Sequence, residues 1–224
     1  MNTANLSELL QGQVFHALVV LAVSIYALNA ILIAVEAGYD LWGRFVLGCL
    51  QGLGGGTIRD ILIGNLPVTW VKHSWPLIVA LGTAVVGLVT LRVRPGHDPT
   101  ERLWYLATDA VGLGAFVVVG TSVAIQHGTS LFVAVFMGVI SGVGGGVVRD
   151  LFTDRMPILF TGQVYGSAAI IGAIAFVLLD RMKVVESVKV WVPLALVVVL
   201  RALAVRYNLY LPRAGGNSET SEGS

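Results

Sequence analysis

Apolar stretches of about twenty residues recur along this chain, and they leave few folds open. They fall near 14–37, 44–63, 76–92, 104–126, 131–152, 163–180 and 188–207. At a rise of about 1.5 Å per residue, each crosses roughly 30 Å of bilayer hydrocarbon as an α-helix. The expected fold is therefore all-α and polytopic, with seven transmembrane helices. Composition agrees, since 56% of residues are hydrophobic and 12% charged. Soluble domains carry about twice that charged share. Gly38, Pro67, Pro95 and Pro157 stop helices in the short connections.

Several function classes fall away at once. The net charge of +1 offers no basic excess for nucleic acid. Nothing resembles a P-loop, a zinc cluster or a zincin helix, and no cofactor is expected. His16, His73, His97 and His127 sit apart on different segments, and there is no Ser/His/Asp or Cys/His arrangement, so an enzyme is not expected. Cys49 stands alone, excludes an intrachain disulfide and reads as a packing residue. The opening MNTANLSELLQGQ lacks the basic residues of a cleavable signal, so the first run reads as a retained helix. Residues 1–207 read as one membrane domain and 208–224, polar and glycine-rich, as a flexible tail.

Charge along the connections sets an expected orientation. Lys72, Arg181, Lys183 and Lys189 fall on one side; Arg44, Arg92, Arg94, Arg102, Arg155, Arg206 and Arg213 fall on the other. The positive-inside rule puts the N-terminus outside and the C-terminus in the cytoplasm. Trp42, Trp70, Trp75, Trp104 and Trp191 all lie near span ends, as an aromatic belt requires.

The chain also repeats itself. GLGGGTIRDILIGNLP (52–67) and GVGGGVVRDLFTDRMP (142–157) align at a constant shift of 90 positions, Gly54 onto Gly144. The same shift pairs Gly38 with Gly128, Gly48 with Gly138 and Tyr26 with Phe116. Repeat one covers about 14–92, repeat two about 104–182, and a seventh helix about 188–207. A three-helix unit crosses the membrane an odd number of times, so the second copy is expected inverted, as in many transporters.

Two readings fit the glycines. Gly54, Gly55, Gly56 and Gly144, Gly145, Gly146 each cost about 1 kcal/mol against alanine inside a helix, so a kink or break is expected in the second and fifth spans. A break would leave main-chain dipoles beside a wet cavity, carbonyls for a cation and amides for an anion. The plainer reading is packing: Gly48, Gly52 and Gly56, like Gly138, Gly142 and Gly146, have G-x-x-x-G spacing.

Arg59-Asp60 and Arg149-Asp150 follow directly. Ionisable groups in spans cost roughly 2.5–3.5 kcal/mol on insertion scales and face an interior or a water path. Sequence neighbours do not face each other on a helix, so each Arg is expected to find a partner elsewhere while each Asp caps. The pairs are structural, or they line or gate a pathway. Asp109, whose repeat counterpart is Val19, lines a vestibule or sits at an interface. Glu36, Asp180 and Arg201 lie near span ends and are expected to snorkel; His16 reads as interfacial.

The doubled GGGTIRD and GGGVVRD, each followed by Pro at the same distance, resemble the prokaryotic members of the trimeric intracellular cation channel family. DLWG at 40–43 and DAVGLGAF at 109–116 add to the likeness. The resemblance implies a homotrimer of seven-helix protomers in membrane lipid. It implies a pore in each protomer, lined largely by the first, second, fourth and fifth spans and bent at the six motif glycines. Monovalent cations would pass, chiefly potassium and also sodium. The family often carries Asp-x-x-Gly early in the first span; here Val19 and Ala22 stand there, against Asp109 and Gly112 in repeat two. The Lys-Glu-Val-type sequence of eukaryotic members is absent.

Three functions remain in play. The first is a passive cation channel in which Arg59 or Arg149 plugs the closed path. The second is a transporter of a small zwitterion such as glycine, a role some bacterial relatives are described as having. The third is a scaffold, for which buried Arg and Asp are poorly suited.

Overall fold

Inside hydrocarbon a backbone group must find its partner within the protein, and every regular element seen here is helical. The computed structural model describes residues 3–93, 100–160, 164–207 and 209. The elements are α1 (Thr3–Glu36), α2 (Leu41–Leu62), the short α3 (Thr69–Lys72), α4 (Trp75–Val93), α5 (Thr100–Gln126), α6 (Leu131–Phe152), a 3-10 turn (Ile158–Phe160), α7 (Gly166–Arg181) and α8 (Glu186–Arg206). Helix α1 starts well before the expected residue 14. The expectation for the tail falls almost wholly outside the described residues.

Four stretches among the described residues are long and apolar enough to cross a membrane: Gly12–Glu36, Tyr105–Gln126, Leu131–Phe152 and Glu186–Arg206. Helix α2 has the length but carries Gln51, Arg59, Asp60 and many glycines, and α7 has only 16 residues.

The helix ends obey the 90-residue shift. Gly38 and Gly128 end α1 and α5 at φ +74° and +73°, a backbone glycine adopts without strain. The amides of Tyr39 and Thr129 then close on Ala34 and Ala124. Asp40 and Ser130 cap the next helices by accepting from Gly43 N at 2.7 Å and Val133 N at 3.4 Å.

Packing repeats as well. A β-carbon on Gly48 would lie 3.3 Å from the Ala27 carbonyl oxygen, and one on Gly52 would lie 3.1 Å from that of Val23. In the second copy, Gly138 approaches the Val117 oxygen (3.0 Å) and Gly142 that of Leu113 (3.1 Å). The glycine faces thus seat α2 on α1 and α6 on α5, and in each pair the helices run antiparallel.

Helices α2 and α6 meet in the middle. A β-carbon on Gly55 would strike the Ser141 carbonyl oxygen, and one on Gly145 that of Gln51. Gln51 and Ser141 are themselves 90 positions apart, so the crossing is reciprocal and antiparallel. Helices α1 and α5 also run antiparallel, with Tyr26 against Phe116, ring centroids 5.0 Å apart.

The expected break is not found. Both helices run uninterrupted through their triple glycines. Glycine there removes side chains that would hold α2 and α6 apart, and close contact between helices offsets its low propensity. Packing is the reading the structure supports, and the main-chain dipoles of these turns stay within their helices.

Candidate functional site

The Arg-Asp pairs lie near the C-terminal ends of α2 and α6, one on each side of the crossing. Each arginine turns back onto its own sequence neighbour, against the expectation that neighbours cannot meet. Arg59 Nε and Nη2 donate to Asp60 Oδ1 at 2.9 and 2.7 Å. Arg149 Nε donates to Asp150 Oδ1 at 2.7 Å. The long guanidinium stem folds along the last helical turn and brings the fork to the adjacent carboxylate.

The carboxylates do cap, but they cap the next element. Asp60 Oδ2 accepts from Thr69 N, the first residue of α3, at 2.7 Å. Asp150 Oδ2 accepts from Ile158 N, the first residue of the 3-10 turn, at 3.1 Å. Each Asp therefore ties a helix end to the loop that follows it.

Beyond this the two sites diverge. Arg149 is 0% exposed. Its Nη1 donates to Asn29 Oδ1 at 2.5 Å and to Asp109 Oδ1 at 3.2 Å, and its guanidinium stands 5.4 Å from the centroid of the Tyr105 ring. Asn29 also donates to Tyr105 O and Thr108 Oγ1 and accepts from Gln51, so α1, α2, α5 and α6 share one polar network. Arg201 of α8 approaches Asp109 Oδ2 at 3.7 Å and lies over the Tyr165 ring at 4.7 Å. Asp109 is thus an interface residue between two arginines, and the fully buried Arg201 does not snorkel. Tyr165 and Asp109 give its charge a place inside.

Arg59 is 3% exposed, and Asp60 is its one partner among the described residues. The positions matching Asp109 and Asn29 are Val19 and Val119. Both line a cavity of about 70 Å³ beside Arg59 and Asp60, together with Gly56, Trp75 and Phe116. A β-carbon on Gly56 would meet only Arg59 Nη2, at 3.7 Å. On Gly146 it would meet Tyr165 Oη at 3.3 Å. A second, larger cavity of about 450 Å³ is lined by Gln126, Asp180, Glu186 and Lys189. Phe15 borders both cavities. Lys189 bridges Asp180 at 3.0 Å and Glu186 at 2.7 Å across this mouth.

The remaining end-of-span expectations hold. Glu36 pairs with Arg155 in the open at 2.9 Å, and His16 is exposed against Trp75. Sequence reasoning missed Asn29, Gln51, Tyr105, Tyr165 and Phe15. Asn29 and Gln51 carried a signal, a lone amide within an apolar run. The aromatic residues carried none.

Helix pairs seated by glycine, with charge pairs buried within them, define a polytopic α-helical membrane protein. A family model described as Glycine transporter matches residues 16–92 and 106–181, and the chain belongs to that family, among the prokaryotic relatives of the trimeric intracellular cation channels. The inner membrane protein YadS of Escherichia coli K12 is 34% identical over 194 residues, 86% of this chain and 92% of YadS. The solved trimeric intracellular cation channel orthologue from Rhodobacter sphaeroides is 32% identical, with a TM-score of 0.80 over 88% of this chain and 99% of that one. A second solved channel, described in terms of conductance through such cation channels, is 31% identical with a TM-score of 0.77 over 92% and 99%. These relatives are channels and membrane proteins rather than enzymes.

Proposed function

We propose that this protein is a monovalent-cation channel that prefers potassium, with one path through each protomer of a homotrimer. Seven spans would form two inverted three-helix repeats and a final helix within one membrane domain, the N-terminus outside and the C-terminus cytoplasmic. The reciprocal crossing of α2 and α6 supports the inversion, and likeness to two solved cation channels supports conduction and trimeric assembly. The observation that carries the path is a pair of cavities that share Phe15 as a wall, one lined by Asp180, Glu186 and Lys189 and the other by Arg59 and Asp60.

In this reading the path runs beside the glycines rather than through broken backbone. Gly54, Gly55, Gly56, Gly144, Gly145 and Gly146 form the constriction, where slight separation of two helices without side chains opens the way. Arg59, held by one carboxylate, is the movable charge on one side. Arg149, with Asp150 and Asp109, is the anchored charge on the other. The test is single-channel recording of purified protein in planar bilayers. Potassium-selective steps are expected, with conductance raised by Phe15→Ala and open probability changed by Arg59→Ala. Silence from pure protein would overturn the proposal.

The family description favours one further reading, transport of a small zwitterionic amino acid such as glycine. Saturable uptake of radiolabelled glycine into proteoliposomes is its test.

A further inference from the structure

The molecule contains its own template for what is missing beside Arg59. In one half, Asp109 supplies a carboxylate to Arg149, and Arg201 supplies the cation that balances it, resting over Tyr165. A shift of 90 positions turns Asp109 into Val19, Asn29 into Val119 and Tyr165 into Trp75. Arg201 lies on α8, outside both repeats, and has no counterpart. Val19, Val119 and Trp75 all line the 70 Å³ cavity with Arg59.

We infer that this cavity binds a small zwitterion, its carboxylate on Arg59 where Asp109 sits on Arg149, and its ammonium over Trp75 where Arg201 sits over Tyr165. The ligand class is that of the amino-acid reading, on which this inference rests, while the site stands on its own geometry.

Three arguments converge. Arg59 spends Nε and Nη2 on a single Asp60 oxygen, and its Nη1 makes no hydrogen bond among the described residues. A guanidinium presents a fork of donors, so a second carboxylate suits it. Charge selects a zwitterion over a bare anion. Arg59 and Asp60 already cancel, and an added anion would leave one buried negative charge uncompensated. A zwitterion brings its own cation, and an indole face is the strongest aromatic partner for one. Size selects a small ligand with little or no side chain. One water needs at least about 10–15 Å³ of such volume, so 70 Å³ holds a few waters or one very small molecule, and Val19, Val119 and Phe116 offer nothing to a polar side chain. Entry is from the acidic mouth past Phe15, with His16 standing against Trp75.

The experiment is equilibrium binding of radiolabelled glycine to the purified protein in lipid nanodiscs, competed by unlabelled glycine, acetate or methylamine. We expect saturable binding, with acetate and methylamine each at least tenfold weaker competitors than glycine. Val19→Leu, which fills the cavity, weakens binding at least tenfold. Val19→Asp, which supplies the missing carboxylate in the chain, abolishes it. No saturable binding to the unaltered protein overturns the site. So does acetate competing as well as glycine, which would make it a site for bare anions, and so does Val19→Leu protein that binds normally. Uptake separates the site from transport. Binding without uptake in proteoliposomes keeps the site and removes the transport reading; uptake unchanged by Val19→Leu does the reverse.

Discussion

Arg59 and Arg149 occupy equivalent positions in two copies of one motif, yet one is anchored and the other is held by a single residue. Around Arg149, three helices contribute Asn29, Tyr105, Asp109 and Asp150, and Tyr165 closes the space beside Gly146. Around Arg59 there are Asp60 and apolar walls around a cavity. Among the differences between the halves, two remove hydrogen-bond partners of the arginine: Val19 stands where the other copy has Asp109, and Val119 where it has Asn29. A buried charge with several partners is a structural joint. The same charge with one partner and room beside it is free to take another.

The largest expected effect comes from removing the anchored charge. Arg149→Met takes the buried cation from two carboxylates, although Asp150 keeps its bond from Ile158 N and Asp109 stays 3.7 Å from Arg201, and should cost about 3–5 kcal/mol, read as a large fall in thermal midpoint in detergent. Arg59→Met strands only Asp60, which keeps its bond from Thr69 N, and should cost clearly less. Equal falls for the two variants would break the comparison.

Next come the paired glycines. Gly56→Ala meets nothing closer than Arg59 Nη2 at 3.7 Å, so it should gain up to about 1 kcal/mol of helix propensity. Gly146→Ala presses on Tyr165 Oη at 3.3 Å and should gain less or lose stability. Thermal unfolding of both variants side by side decides this, and the reverse order would show that the Arg59 half has no spare room.

The smallest effect concerns the aromatic pair between the repeats. Tyr26 donates from Oη to the Gly142 oxygen at 2.7 Å, so Tyr26→Phe should cost about 1 kcal/mol. Its counterpart Phe116 has no hydroxyl. Phe116→Tyr should be nearly neutral if the new hydroxyl reaches Gly52, the counterpart of Gly142. A marked loss of stability would mean that the two halves differ in backbone as well as in side chains.

Much of this was legible beforehand. Long apolar runs announce helices because unpaired backbone cannot persist in hydrocarbon. The caps at Asp40 and Ser130 and the turns at Gly38 and Gly128 are local chemistry, readable a few residues at a time. The helix running unbroken through Gly54–Gly56 was not legible. Intrinsic propensity argues against it, and only the approach of Ser141 and Gln51 from other parts of the chain reverses the sign.

By itself the sequence determined a duplicated membrane protein, the spacing of its motif, and the position where one copy has Asp109 and the other Val19. Each of those is written in residue order or in local periodicity. The tertiary structure alone decided that the glycines make a joint rather than a gap, that Arg201 turns inward to share Asp109, and that losing one carboxylate leaves an opening beside Arg59. Those outcomes depend on which helix faces reach one another, and residues 90 or more positions apart meet only once the chain has packed.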